Sequence, residues 1–176
     1  MDISINSNHS LNFNYSWRCP VFNILFRGHA PFIATRPKVG KVIAKEIQPK
    51  KNEIVYELGA GGGSIIRRLA KKYPQAKYYG LEYALLPWLL AKIQQSLFKS
   101  KIRIIKKNFF QADLSQADYI YCFLNIETMA KLEKKLLKEC KPGAIVISYI
   151  FQLPHIKPYQ ALLVNKSHLY FYQPRP

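Results

Sequence analysis

The chain has 176 residues, 49% of them apolar and 21% charged, a length suited to one domain with a short extra segment and a composition that builds a core rather than a disordered chain. Its uncharged stretches fall short of the roughly 20 residues needed to cross a bilayer, and its start, Asp2 followed by an Asn- and Ser-rich run, lacks the basic and then apolar order of a secretory leader. With 27 Lys and Arg against 10 Asp and Glu the formal net charge is +17, so an acidic macromolecule is the expected partner, and peripheral contact with an anionic membrane stays open. Cys19, Cys122 and Cys140 form no CxxC pair, which fits a reducing, cytoplasmic setting. His29, His155 and His168 lack ligand spacing, and no metal is expected.

Residues 1–29 read as an N-terminal arm and residues 30–176 as a single domain. Val39, Val42, Ile43 and Ile47 recur at helical spacing until Pro49 stops them. Apolar strands then alternate with amphipathic helices: strand 54–58, helix 64–72, strand 77–81, helix 87–98, strand 102–106, strand 119–123, helix 128–139 and strand 144–149. The last helix sets Met129, Leu132, Leu136 and Cys140 on one stripe, with Lys131, Lys134, Lys135 and Lys138 expected on a solvated face. Residues 162–164 and 168–172 flank an Asn-Lys-Ser turn and predict a terminal hairpin. The rhythm predicts an α/β, Rossmann-like doubly wound sheet of about seven strands, mostly parallel, with an antiparallel C-terminal hairpin strand.

In such sheets ligands bind beyond the carboxyl ends of the strands, and the first strand here runs into Glu57-Leu58-Gly59-Ala60-Gly61-Gly62-Gly63-Ser64. Glycines 59, 61 and 63 permit a left-handed backbone and let a ligand approach Ala60 and its neighbours closely, while Ser64 is placed to cap the next helix. No Lys-Ser/Thr pair follows the last glycine, so a P-loop is excluded, and a Gly-x-Gly-x-x-Gly frame starting at Gly59 meets Ser64 at its third glycine. Glu57 would repel a pyrophosphate and attract an ammonium. Glu82 closes the second strand, where a carboxylate accepts both hydroxyls of a ribose. Tyr83 beside it can pack on an adenine, and Asn108-Phe109 after the third strand can pair with the adenine amino group. S-adenosylmethionine, with an ammonium, a sulfonium and a free ribose diol, fits this set.

Glu57-x-Gly59-x-Gly61-x-Gly63 with Glu82 and Asn108 resembles the class I S-adenosylmethionine-dependent methyltransferases. The segments Ala30-Pro31-Phe32-Ile33-Ala34-Thr35, Pro87-Trp88-Leu89, Asp113-Leu114-Ser115, Leu132-Glu133-Lys134-Lys135-Leu136-Leu137 and Phe151-Gln152-Leu153-Pro154 look like the ATP-synthase c-subunit lysine methyltransferase family and its small prokaryotic relatives, archaeal protein-lysine methyltransferases among them. By that resemblance Phe32 and Thr35 belong to a lid over the cofactor, and the acceptor is a protein lysine. The chain departs from the family at Ala34, where a second proline is usual, at Asn108, where Asp is common, and near Ile150, where a polar or basic residue is usual.

Methyl transfer from a sulfonium depends on positioning more than on a strong base, and a lysine acceptor must first lose a proton. Asn125 and Tyr149, at the ends of the fourth and fifth strands, are the polar groups expected to face the transferred methyl. Phe123-Leu124-Asn125-Ile126 lacks the Asn/Asp-Pro-Pro-Tyr segment of planar-amine methylation, and Cys122 lies within a strand rather than in a Pro-Cys loop. Methylation of RNA or of a small molecule is the alternative that the charge keeps open, and a binding protein without turnover is the other.

Overall fold

The computed structural model describes residues 35–97 and 102–176. The arm at residues 1–29 and Phe32 lie outside them. Pro37–Glu46 (α1) leads into Ile54–Leu58 (β1), Ser64–Lys72 (α2), Lys77–Glu82 (β2), Leu85–Leu97 (α3), Arg103–Lys106 (β3), Tyr119–Cys122 (β4), Ile126–Glu139 (α4), Ile145–Tyr149 (β5), Gln160–Val164 (β6) and Ser167–Tyr172 (β7). The seven strands form one sheet in the order β3-β2-β1-β4-β5-β7-β6. Pairings among β1 to β5 are parallel, and those of β7 with β5 and β6 are antiparallel. The expected hairpin is present, closed by Asn165 and Lys166, both at positive φ as a two-residue turn between twisted strands requires. Its chain-terminal strand is not the edge, however. β7 inserts between β5 and β6 because Leu169 and Phe171 are fully apolar and buried, whereas β6 alternates and tolerates an open side.

Alternation along the strands divides the core between two faces. On one, Val55, Tyr78, Ile104, Tyr121, Ile147 and Phe171 pack against Val39 and Ile43 of α1, Ile65, Ile66 and Leu69 of α2 and Ala91 of α3. On the other, Leu58, Leu81, Ile120, Cys122, Val146 and Tyr172 meet Met129, Leu132 and Leu136 of α4. The α4 stripe is buried as its spacing predicts. Lys135 departs from the expected solvated face: its ammonium donates to the Ala112 carbonyl at 2.7 Å and pairs with Glu139 at 2.6 Å, tying the segment before β4 to the helix. A four-carbon stem lets a lysine cover apolar surface while its charge reaches such partners, which periodicity does not reveal.

Glu133, also on α4, is buried and accepts from the amides of His155 and Ile156, at 2.8 and 3.2 Å, and pairs with the His155 ring at 2.7 Å. Burial works to raise its pKa, but those donors outweigh it and hold the carboxyl below its ordinary value. The Phe151 to Ile156 segment is thereby fixed beyond the end of β5.

Gly80, in the middle of β2, sits so close to the loop after β1 that a Cβ there would lie 2.8 Å from the Ala60 Cβ and 2.9 Å from Ile104 Cδ1. Gly80→Ala should therefore destabilise the fold by about 1 to 3 kcal/mol, read as a lowered denaturant midpoint with an unchanged slope.

Candidate active site

The segment between β1 and α2 crosses the carboxyl ends of β1 and β2 with Gly59, Gly61 and Gly63 at φ of 66°, 49° and 69°. Its amides are largely consumed by the protein itself. Those of Gly59 and Ala60 donate to the Leu81 carbonyl at 2.9 and 3.0 Å, and that of Gly63 donates to Ala60 at 2.7 Å. The amide of Gly61 donates to Glu82 Oε2 at 2.8 Å, while Glu82 Oε1 accepts from Ala84 at 2.8 Å. Both Glu82 oxygens are thus fixed by backbone donors at the end of β2, and each keeps a lone pair for a further donor.

Glu57 is buried, 3% exposed, under the same loop. Its carboxylate accepts from the amide of Ile66 at 3.2 Å and, more weakly, from that of Ile65 at 3.5 Å. It therefore supplies the cap of α2 that the sequence assigned to Ser64. Gly63 occupies the N-cap position in a left-handed conformation, with no side chain to offer, and Ser64 is already the first helical residue. A helix N-terminus in this position is where α/β proteins seat phosphates, and here an internal carboxylate fills it. Burial, reinforced by the charge of Glu82, pushes the Glu57 pKa up to about 8 against the amides of Ile66 and Ile65 and the charge of Arg67. Arg67 in turn donates to the Gly62 carbonyl at 2.7 Å and the Ala91 carbonyl at 3.2 Å, joining the loop to α3.

Around this pair the structure brings most of the expected residues to one end of the sheet. Glu82 pairs in register with Lys106, and Lys107 N donates to the Glu82 carbonyl at 3.0 Å, which carries Asn108 and Phe109 alongside. Asn108 opens a short 3-10 turn, its Oδ1 accepting from Phe110 at 3.0 Å, and Phe109 packs on the α4-covered core. Tyr83 follows Glu82 on the exposed side. Thr35, expected in the lid, shares a 2.8 Å hydrogen bond with the hydroxyl of Tyr121 on β4. Tyr121 was not among the expected site residues. The period-two pattern holds a signal for it, since β4 places it directly opposite Glu57 on β1, facing the same layer. Burial lifts its pKa well above the usual tyrosine value, so it stays protonated.

Asn125 and Tyr149 stand where the strands predict, after β4 and at the end of β5, in different surroundings. Asn125 is exposed and caps α4, its Oδ1 accepting from Thr128 N at 3.0 Å. Tyr149 is buried, with its ring edge-on to Phe123 at 5.2 Å. The next residue, Ile150, is held at φ 73°, an unusual conformation for a β-branched side chain. The Cys122 thiol is fully buried and its pKa is pushed up to about 12 by that burial, which leaves it unsuited to nucleophilic attack.

A donor-poor, carboxylate-lined loop is the opposite of a phosphate cradle and suits a ligand that brings hydroxyls and positive charge. A family model described as the ANTKMT methyltransferase domain matches residues 57–160. A protein-lysine N-methyltransferase of Saccharolobus islandicus (strain REY15A) is 33% identical over 143 residues, 80% of this chain and 89% of that protein. The Homo sapiens enzyme that N-methylates a lysine of the ATP-synthase c-subunit is 29% identical over 133 residues, 73% of this chain but 54% of that protein. Among solved structures, an RNA methyltransferase from Salinibacter ruber in complex with S-adenosyl-L-homocysteine superposes with a TM-score of 0.76 over 81% of this chain and 94% of that one, at 21% identity, a likeness of fold.

Glu57 gives the fold a measurable pH signature. Its carboxyl titrates near 4.5 when exposed and near 8 in the folded chain, so between those values the native state holds a proton that the unfolded state has released, and stability falls as pH rises through that window. Denaturant midpoints followed from about pH 5 to about pH 8 should decline more steeply for the wild type than for Glu57→Gln, whose amide cannot titrate. Parallel curves would contradict the assignment.

Proposed function

The chain belongs to the ANTKMT methyltransferase domain family, and from that premise we propose that it transfers methyl groups from S-adenosylmethionine to lysine side chains of an acidic protein partner in a reducing, cytoplasmic setting. The observation that carries this reading is the arrangement of Glu82 and Glu57, which leaves carboxylate acceptors rather than free amides at the cofactor end of the sheet. The free thiols of Cys122 and Cys140 agree with the compartment, and the relative from Saccharolobus islandicus, matched over nearly its whole length, supports the acceptor class.

The residues fit the cofactor in a definite order. Glu82 would accept from the ribose hydroxyls, with its carboxylate already oriented by Gly61 and Ala84. The Gly59 to Gly61 backbone would pass close to the amino-acid portion, and Glu57 beneath it, protonated near neutral pH in the free chain, would release its proton as the ammonium arrives and take up that charge, directly or through water. Asn108, Phe109 and Tyr83 would surround the adenine, and Thr35 would belong to the cover over the cofactor. When bound, S-adenosylmethionine supplies an electrophilic methyl group on a sulfonium.

The chain's own task is to deliver a neutral amine in line with that group. At pH 7 a lysine of pKa ~10.4 is neutral only about once in 2,500, a penalty near 4.6 kcal/mol. The Tyr149 ring packed on Phe123 would wall the acceptor from water and lower that cost by desolvation, and Asn125 would orient the amine across the mouth. Because Asn125 also caps α4, the two roles separate. Asn125→Asp keeps the cap and should preserve stability while changing turnover, whereas Asn125→Ala should lose about 1 kcal/mol of stability as well.

The acceptor is tested by incubating the protein with labelled S-adenosylmethionine and fractionated cell extract, followed by mass spectrometry. Label should enter lysine side chains, with turnover rising from about pH 7 to about pH 9 as the amine deprotonates. Label on nucleotides and none on lysine would replace this acceptor with RNA, the class that the +17 charge also favours.

A further inference from the structure

α3 is apolar on both sides. Its inner side, with Trp88 and Ala91, packs against the sheet. Its outer side carries Leu85, Leu86, Leu89, Leu90 and Ile93, which are between 46 and 61% exposed. Through Ile93 the only charged side chain of α3 is Lys92, whereas a surface helix normally keeps a whole polar face, so this stripe calls for an occupant. Its surroundings say which kind. From Tyr83 to Ala112 the chain has no Asp or Glu but six Lys and Arg, and of these Lys92, Arg103, Lys106 and Lys107 are exposed on α3 and on and just after the neighbouring edge strand β3.

We propose that the outer face of α3 is a docking surface for an anionic lipid bilayer, with its leucines entering the headgroup boundary and the surrounding lysines and arginines meeting lipid phosphates. Aliphatic side chains on one side of a helix with basic residues around them are the pattern of interfacial helices, where apolar burial and attraction to anionic lipid add. A second copy of this chain fits less well, because it would bring two +17 molecules together through their acid-free regions. α3 begins three residues after Glu82, so docking on this face would hold the cofactor end of the sheet beside the membrane surface. The proposal does not depend on which methyl acceptor the site serves.

The test is co-sedimentation of the full chain with vesicles of phosphatidylcholine alone and of phosphatidylcholine mixed with phosphatidylglycerol, alongside the double variant Leu86→Gln, Leu90→Gln. The wild type should bind the mixed vesicles and leave the neutral ones largely unbound, and the variant should bind at least about tenfold more weakly. Both positions are exposed, and an unchanged affinity for S-adenosylhomocysteine checks that the variant folds. Wild-type protein that ignores the mixed vesicles, or a variant that binds them equally well, would overturn the proposal. So would a wild-type dimer in light scattering that the variant abolishes, since the face would then belong to a second copy.

Discussion

Two carboxylates on neighbouring parallel strands grip the backbone of one glycine-rich loop, Glu82 through Gly61 N and Glu57 through the first amides of α2. A hydrogen bond to a charged acceptor such as Glu82 is worth roughly 1.5 to 3 kcal/mol, while Glu57, its pKa raised to about 8, accepts largely in its protonated form near neutral pH. An α/β protein that binds phosphate leaves these amides open and lets the helix N-terminus attract the anion. With the amides filled from within, the site offers negative charge and spare lone pairs. Two acids this close disfavour joint ionisation, and the raised pKa of Glu57 records that, with burial as the larger cause. A cation placed nearby relieves the strain, which ties cofactor charge to the architecture beneath the loop.

Much of the fold exists to hold that grip in register. β1 and β2 pair residue for residue from Ile54 with Lys77 to Leu58 with Leu81, which sets Glu57 beside Gly80. The missing side chain at Gly80 lets Ala60 descend onto the sheet. A Cβ at Gly63 would lie 2.6 Å from Ile104 Cδ1 and force that side chain to shift, so packing adds to the φ of 69° in favouring glycine there. Arg67 then fastens the loop to α3, and Thr35 with Tyr121 fastens the chain before α1 to β4.

The sequence made the strand and helix order readable because the central parallel strands, buried on both faces, are short apolar runs and α1, α2 and α4 keep their 3.6-residue stripes. Glu82 was legible because an acid at the end of an apolar strand stands out in a chain with only ten acids. What stayed hidden involves groups distant in sequence. The cap of α2 comes from seven residues before its first turn, so Ser64 looked the better candidate from local rules. Lys135 looked solvated because its carbonyl partner, Ala112, lies 23 positions away. The order β5-β7-β6 depends on which hairpin strand is the more apolar on both faces, and the hairpin signal alone does not rank them. Tyr121 needed the register between β1 and β4 to become visible, although its alternation with Tyr119 and Phe123 marked the face.

Carboxylates in place of open amides should select a sulfonium cofactor over a pyrophosphate one. Titration calorimetry of the full chain with S-adenosylmethionine, S-adenosylhomocysteine and NAD, repeated on Glu82→Gln, tests it most directly. The first two should bind, NAD should show no detectable binding, and the variant should lose about 10- to 150-fold in affinity for S-adenosylmethionine. NAD binding more tightly than either adenosyl ligand, or a Glu82→Gln protein that binds them as the wild type does, would contradict it.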